Sequence, residues 1–485
     1  MSNTRPSTAI KHQVMRSLKW VALGKIVTQV LRWAITFWVI RILSPVDYGV
    51  VAMSAVLSGF FIIILSSLFT ASIIQRKDLN QVVLKQMFGA IILSHSAFFL
   101  IQYGLAEPVA AYYQSNTVSE VLKINAWCFL FLAFEVIPAA LLAKNMEFKQ
   151  VSLIAATSNI IAAIVTLVMA YSDFGLWSLV YGELLNNVLR CILTFLTKPT
   201  LFFPSFRTDQ IRGMLRFGIL LSVLSMLFYV FTNMDVAIGG RLMTPAEIGL
   251  YAIGLQVALT PQKKIMPLLR QVAFPAYAQI QDQGTLIAKY VLKVQRLCIG
   301  FTLPIFWGLA SVIDVVIPLL LGDKWQGAII PTAIMLIIMP LRFSEELFGP
   351  ALKSLRRVKH MLINLCIMIA VMFVSINIGA RFGATGLAFA WLCAYPLGYM
   401  LVAWRNSRIL STPFNLLIKC FIPPVLAGAG MLCMVYLVKS ISFHNLALNL
   451  IVQIAVGGLS YLALINMLDK NSVKEALALV RNKGN

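Results

Sequence analysis

The chain has 485 residues, of which 60% are apolar and 12% charged, and its formal net charge is +22. Its mean hydropathy is +0.85, and its charged share is about half that of a soluble globular domain, so the composition excludes that class. The basic excess is spread through the connections between apolar segments, which argues against a nucleic-acid surface.

Taken in chain order, apolar segments are predicted near 17–42, 50–71, 85–104, 121–143, 151–171, 176–196, 214–239, 250–272, 291–321, 327–352, 361–379, 383–404, 414–438 and 446–467. Most are about 20 residues or slightly more, enough to cross a bilayer as tilted helices. The expected fold is an all-α integral membrane protein of about fourteen transmembrane helices. With a cytoplasmic N-terminus, the outer connections hold only Arg41, Lys123, Arg241, Lys324, Arg381 and Lys439. The remaining connection and tail cations fall inside, an asymmetry of roughly four to one that follows the positive-inside rule. Both termini are then cytoplasmic. The first segment is too long for a signal peptide and carries Lys25 and Arg32, so it reads as a retained span. Seven cysteines lie singly within spans, with no CxxC pair, and read as packing residues.

The nonamer Arg41-Ile42-Leu43-Ser44-Pro45-Val46-Asp47-Tyr48-Gly49 returns as Arg241-Leu242-Met243-Thr244-Pro245-Ala246-Glu247-Ile248-Gly249. Glu147-Phe148-Lys149 similarly pairs with Arg357-Val358-Lys359, and Asp173-Phe174-Gly175 with Arg381-Phe382-Gly383. These offsets of about 200–210 residues predict two parallel six-helix lobes, 1–205 and 206–410. Residues 411–485 add a helix pair and a cytoplasmic tail. Asp47 and Glu247 are expected to cap the helices that follow them.

Cations inside spans cost on the order of 3 kcal/mol each unless they meet water or a partner. Lys25, Gln29, Arg32 and Thr36 share one helical face of the first span. Gln256, Thr260, Lys263 and Gln271 form a comparable stripe in the eighth, with Lys264 beside it and Arg270 near the inner end. Pro261, Pro267 and Pro275 punctuate that helix, a pattern tolerated where a helix lines a wet cavity. With Arg342 these cations predict a positive interlobe cavity suited to an anionic substrate such as a diphosphate. The bland alternative is pairing with buried acids or snorkelling to headgroups, and it is the better reading for Arg190. Glu135 and Glu345 occupy matched repeat positions and, with Glu346, are candidates to couple transport to a proton or sodium gradient. Their alternative is a fixed ion pair, for which Arg342 is the obvious helical neighbour of Glu345. Asp235 reads as structural and His95 as a packed polar residue. No metal-ligand spacing, P-loop or nucleophilic constellation is present, so no cofactor and no enzymatic activity are expected.

Several stretches resemble the Wzx-type polysaccharide flippases of the multidrug/oligosaccharidyl-lipid/polysaccharide exporter superfamily. They are Ile74-Gln75-Arg76-Lys77, Glu147-Phe148-Lys149, Phe274 to Asp282, Gly322-Asp323-Lys324-Trp325, and the turns with Asp47-Tyr48-Gly49 and Ile248-Gly249-Leu250-Tyr251. The resemblance covers nearly the whole chain. It implies an inner-membrane transporter that moves undecaprenyl-diphosphate-linked oligosaccharides to the periplasmic leaflet for exopolysaccharide, capsule or O-antigen synthesis. It also implies a cationic central cavity, alternating access and a neighbouring polymerase machinery. A multidrug antiporter would instead favour acidic cavities. A membrane polymerase or ligase would need a longer outer loop carrying catalytic carboxylates.

Overall fold

The computed structural model describes residues 29, 32–76, 78–279, 284–440, 446–470 and 474–475; for 268–279, 284–285 and 446–447 it describes the backbone alone. Helix α1 is described over 32–42. It is followed by α2 (Pro45–Gln75), α3 (Gln81–Tyr113), α4 (Asn116–Lys144), α5 (Phe148–Tyr171), α6 (Leu176–Thr197) and α7 (Arg212–Leu242). Then come α8 (Pro245–Gln279), α9 (Gly284–Leu321), a 3₁₀ turn (Asp323–Ala328), α10 (Ile329–Glu346) and α11 (Phe348–Ser354). The chain closes with α12 (Val358–Gly379), α13 (Gly383–Ile409), α14 (Phe414–Lys419), α15 (Ile422–Lys439) and α16 (Leu446–Leu468).

The protein is an all-α, multi-pass membrane protein. Eleven stretches among the described residues are long and apolar enough to cross a bilayer, fewer than the fourteen expected. The differences have local causes. Val358–Ile409 counts as one stretch but contains α12 and α13, joined by the 3₁₀ turn Ala380–Phe382. Helix α8 is not among the eleven, in keeping with Lys263, Lys264 and Arg270 within it, and most of the first segment lies outside the described residues. Helices also extend further than the apolar segments suggest: Lys123, expected in an outer connection, lies two turns into α4.

The chain divides into two compact units. The first comprises 1–44, 57–111 and 115–223, and the second 45–56, 112–114 and 224–485. In the first unit, Phe61, Leu65, Phe69 and Ile73 recur every fourth residue, which aligns them on one face of α2. That stripe packs on Met87, Phe88 and Ile91 of α3 and on Phe129, Ala133 and Ile137 of α4. Helices α4, α5 and α6 pack on one another beside it. In the second unit α10 packs against α8, α9 and α13, while α15 and α16 lean on α9 around Leu303, Met431 and Tyr461.

The repeated turns share backbone geometry. Pro45 and Pro245 open α2 and α8, the helix position where a missing N–H costs nothing. Before α8, Thr244 and Glu247 form a reciprocal cap: the Thr244 N–H and hydroxyl donate to Glu247 Oε2 at 2.9 Å, and the Glu247 N–H donates to Thr244 Oγ1. Within the second unit the two copies meet. An ideal Cβ on Gly49 would lie 1.7 Å from the Pro245 carbonyl oxygen, and one on Gly249 would lie 1.8 Å from that of Pro45. The helix starts therefore cross backbone to backbone, reciprocally, and only glycine fits at either position.

The second repeated triplet is matched bond for bond. Glu147 N–H donates to Leu142 O and Arg357 N–H to Leu352 O, each at 2.9 Å. Met146 (φ 59°) and Arg356 (φ 56°) are left-handed just before them. This is the six-to-one closure of a helix C-terminus. Gly175 and Gly383 both have positive φ where α6 and α13 begin, a conformation that disfavours any residue with a side chain.

Candidate functional site: the intramembrane charges

In α1, Arg32 Nη2 donates to Gln29 Oε1 at 3.0 Å, and Thr36 Oγ1 donates to the Arg32 carbonyl at 2.8 Å. The three-four spacing of Gln29, Arg32 and Thr36 thus places them on one half-buried face, and the described hydrogen bond of the guanidinium goes to a neutral amide. Lys25 lies outside the described residues.

In α8, Gln256, Lys263 and Lys264 are exposed, and Thr260 Oγ1 donates to the Gln256 carbonyl at 2.7 Å. The side chain of Arg270 is not among those described. Between Thr260 and Lys263 stands a residue that sequence reasoning passed over. Gln262 is buried, and its Nε2 donates to Glu346 Oε1 of α10 at 2.7 Å. The signal was faint, because a glutamine one residue from the lysine face reads as a solvated neighbour.

Arg342 has partners other than those its spacing suggested. It is 8% exposed, with its guanidinium carbon 4.4 Å from the Trp391 ring centre and 6.0 Å from that of Tyr395. Nη1 has no hydrogen-bond partner among the described residues. The described contacts of the guanidinium are cation–π stacking on the rings that α13 presents to α10, where the alternative reading offered an ion pair with Glu345. Glu345 and Glu346 are themselves half-buried.

Glu135 follows the bland alternative. It is 5% exposed, and its Oε1 accepts from Arg190 Nη2 of α6 at 2.7 Å. Its Oε2 has no partner among the described residues. Arg190 is 41% exposed at its side chain, so the pair is buried at one end and open at the other.

A second polar centre carried little sequence signal. Asp235 of α7 is fully buried, accepts the Tyr251 hydroxyl at Oδ2 (2.6 Å), and takes the Val236 N–H at Oδ1 (2.8 Å). Arg342 lies close enough for its charge to attract Asp235. Asp235, Tyr251, Arg342 and Trp391 thus bring α7, α8, α10 and α13 together around one buried carboxylate. By repeat position Asp235 and Tyr251 correspond to Ile35 and Val51, so the first repeat has no counterpart. His95 is also buried, with Nδ1 donating to the Ile91 carbonyl at 2.8 Å, as a packed polar residue would.

The Gly322-Asp323-Lys324-Trp325 motif acts through shape. Gly322 takes φ 95°, and Trp325 is fully buried with its ring edge-on to Tyr48, 5.5 Å between centres. The turn thereby locks onto the first nonamer.

A sequence profile described as polysaccharide biosynthesis protein matches residues 39–330. The chain belongs to this family. Among its relatives is the lipopolysaccharide biosynthesis protein WzxC of Escherichia coli K12, 24% identical over 72% of either chain. An uncharacterized membrane protein in the cps region of Klebsiella pneumoniae is 23% identical over 98% of this chain and 99% of its own. Among solved structures, the lipid II flippase MurJ in an inward closed conformation covers 93% of this chain and 100% of its own, with a TM-score of 0.75 at 16% identity. The family member described here therefore has the MurJ fold.

Proposed function

We propose that this family member is a flippase that carries undecaprenyl-diphosphate-linked oligosaccharide repeat units from the cytoplasmic to the periplasmic leaflet of a bacterial inner membrane. The observation that carries this reading is a family sequence of polysaccharide biosynthesis on the fold of a lipid II flippase, and cations within the helical segments α1 and α8 would supply the charge for an anionic substrate. Arg32, bonded to a neutral glutamine, is the clearest of these. Its planar fork suits a diphosphate, whose oxygens accept two parallel bonds. Lys25, Lys263, Lys264 and Arg270 add positive charge, while Gln29, Thr36, Gln256 and Thr260 supply neutral contacts. The sugars cross in a hydrated path, and the polyprenyl tail stays in lipid.

Transport proceeds by alternating access and involves no enzymatic step. Glu345 and Glu346 are the acids assigned to coupling with a proton or sodium gradient, because Glu135 already has a fixed partner in Arg190. Arg342 serves as counter-charge to Asp235 rather than as a substrate contact, since rings cover it. A polymerase acting on the delivered units is the expected downstream partner.

The test is the leaflet position of undecaprenyl-diphosphate oligosaccharide in cells depleted of the protein. Accumulation on the cytoplasmic side, reversed by the wild type but not by Arg32→Ala, is the expected result. Normal delivery, with unpolymerised units building up in the periplasm, would overturn the proposal in favour of a polymerase or ligase.

A further inference from the structure

The first unit carries an open groove of about 340 Å³, lined by none of the charged residues described above. Leu68 of α2, Ala90, Leu93 and Ala97 of α3, and Leu215 and Ile219 of α7 make its apolar walls. The connection between α6 and α7 crosses one end, where Ser205 to Thr208 form the mouth. This connection is tightly attached. Ser205 N–H donates to Lys85 O at 3.0 Å, Gln210 N–H to Gln86 Oε1 at 3.1 Å, and Arg76 Nη1 to Gln210 O at 2.5 Å. A Cβ on Gly89 would stand 2.2 Å from the Ser205 carbonyl oxygen, so the absence of a side chain lets the connection lie directly on α3.

Two properties of the groove specify its occupant. Its walls open among exposed apolar residues: Leu93 is 63% and Ile219 57% exposed, which leaves room for an acyl chain of a surrounding bilayer to enter. Its mouth is basic. Residues 197–219 hold Lys198, Arg207, Arg212 and Arg216 against the single acid Asp209, and Arg207 itself lines the groove. Phe203 and Phe206 project beside it, strongly exposed, as aromatic side chains do at a membrane interface. An apolar slot capped by cations at that depth complements a lipid with an anionic headgroup.

We propose that this groove is a seat for one anionic phospholipid, with an acyl chain along α3 between α2 and α7 and the phosphate at Arg207. The inference needs only a multi-pass membrane protein, so it stands or falls separately from the flippase reading. The test is native mass spectrometry of the purified full chain, titrated with phosphatidylglycerol or with phosphatidylcholine of matched acyl chains. The wild type is expected to retain one phosphatidylglycerol with a preference of about fivefold, the factor that one cation near an anionic lipid supplies. Arg207→Gln, at an exposed position that the fold does not need, removes the preference and leaves weaker binding of both lipids. Ala97→Phe fills the slot and abolishes retention of either. The proposal is overturned by equal wild-type retention of both lipids, or by a preference that survives Arg207→Gln. Competition by soluble glycerophosphoglycerol would show a headgroup site without a tail and would also overturn it. Displacement by a polyprenyl diphosphate at lower concentration than phosphatidylglycerol would reassign the groove to a different lipid.

Discussion

The two copies of the repeated turn and the helices that follow them have diverged to different degrees. At the turns, Pro45 and Pro245 open helices alike, and Gly49 and Gly249 admit each other's preceding turn with nearly equal clearances. Beyond the nonamers α2 has no ionisable group, whereas α8 carries Tyr251, Lys263, Lys264, Arg270 and Tyr277. Asp235 and Tyr251 likewise stand where the first copy has Ile35 and Val51. Backbone crossings tolerate no side chain and stay symmetric. Interior positions are free to specialise, and the buried carboxylate with its tyrosine donor belongs to the second copy alone.

The sharpest way to break this comparison is at the crossing. Gly49→Ala must displace the Pro245 carbonyl, and a loss of about 3 kcal/mol or more is expected, at the upper end of overpacking costs. Thermal unfolding in detergent measures it. Gly104→Ala, with nothing within 4 Å of the added methyl, serves as control and should be neutral or slightly stabilising. Equal melting midpoints for the two variants would refute the reciprocal contact.

Next in size is the ion pair of the first unit. Arg190→Leu leaves Glu135 buried and uncompensated, at a cost of about 3 kcal/mol, the low end for such pairs because Arg190 is partly exposed. Adding Glu135→Gln should recover most of the lost melting temperature. If the double variant melts as low as the single one, the pair does not behave as a unit.

Arg32 sharpens the contrast between structure and transport. Arg32→Ala should leave the melting midpoint nearly unchanged while lowering oligosaccharide delivery at least about tenfold, the worth of a charge-assisted hydrogen bond. Arg32→Lys should retain part of the activity, since the charge remains but the fork does not. A melting loss matching the transport loss would make Arg32 structural.

The second unit's carboxylate is probed by Tyr251→Phe, which removes the 2.6 Å donor to Asp235. About 1–3 kcal/mol of stability is expected to be lost, as for any buried acceptor left short of a partner; chemical denaturation reads the change. The smallest effect belongs to the pair of Lys439 and Asp314, which are 26% and 49% exposed at their side chains. Asp314→Asn should cost under about 1 kcal/mol, a difference that the same denaturation curves would barely resolve.

Much of the frame was legible in the sequence because its determinants are local. Apolar length predicts spans, proline marks helix starts, and a glycine recurring beside the same proline marks a position that the backbone constrains. The Thr244–Glu247 cap follows from three-residue spacing alone. The Arg32 and Gln29 contact was legible for the same reason, since residues three apart share a helical face.

The partners of buried charges were not legible, and Arg342 shows why. Helical spacing offered Glu345, three residues away, but the guanidinium stacks on Trp391, 49 positions further along the chain. Glu135 likewise finds Arg190 across 55 residues, and Asp235 finds Tyr251 through the packing of α7 on α8. The sequence by itself determined the membrane habit, the repeated turns and the inventory of intramembrane charges, because each depends on composition or on neighbours within one helical turn. Only the tertiary structure decided which of those charges are neutralised and which lean on rings or amides, because helix rotation and crossing bring distant side chains within the few ångströms where charges and hydrogen bonds act.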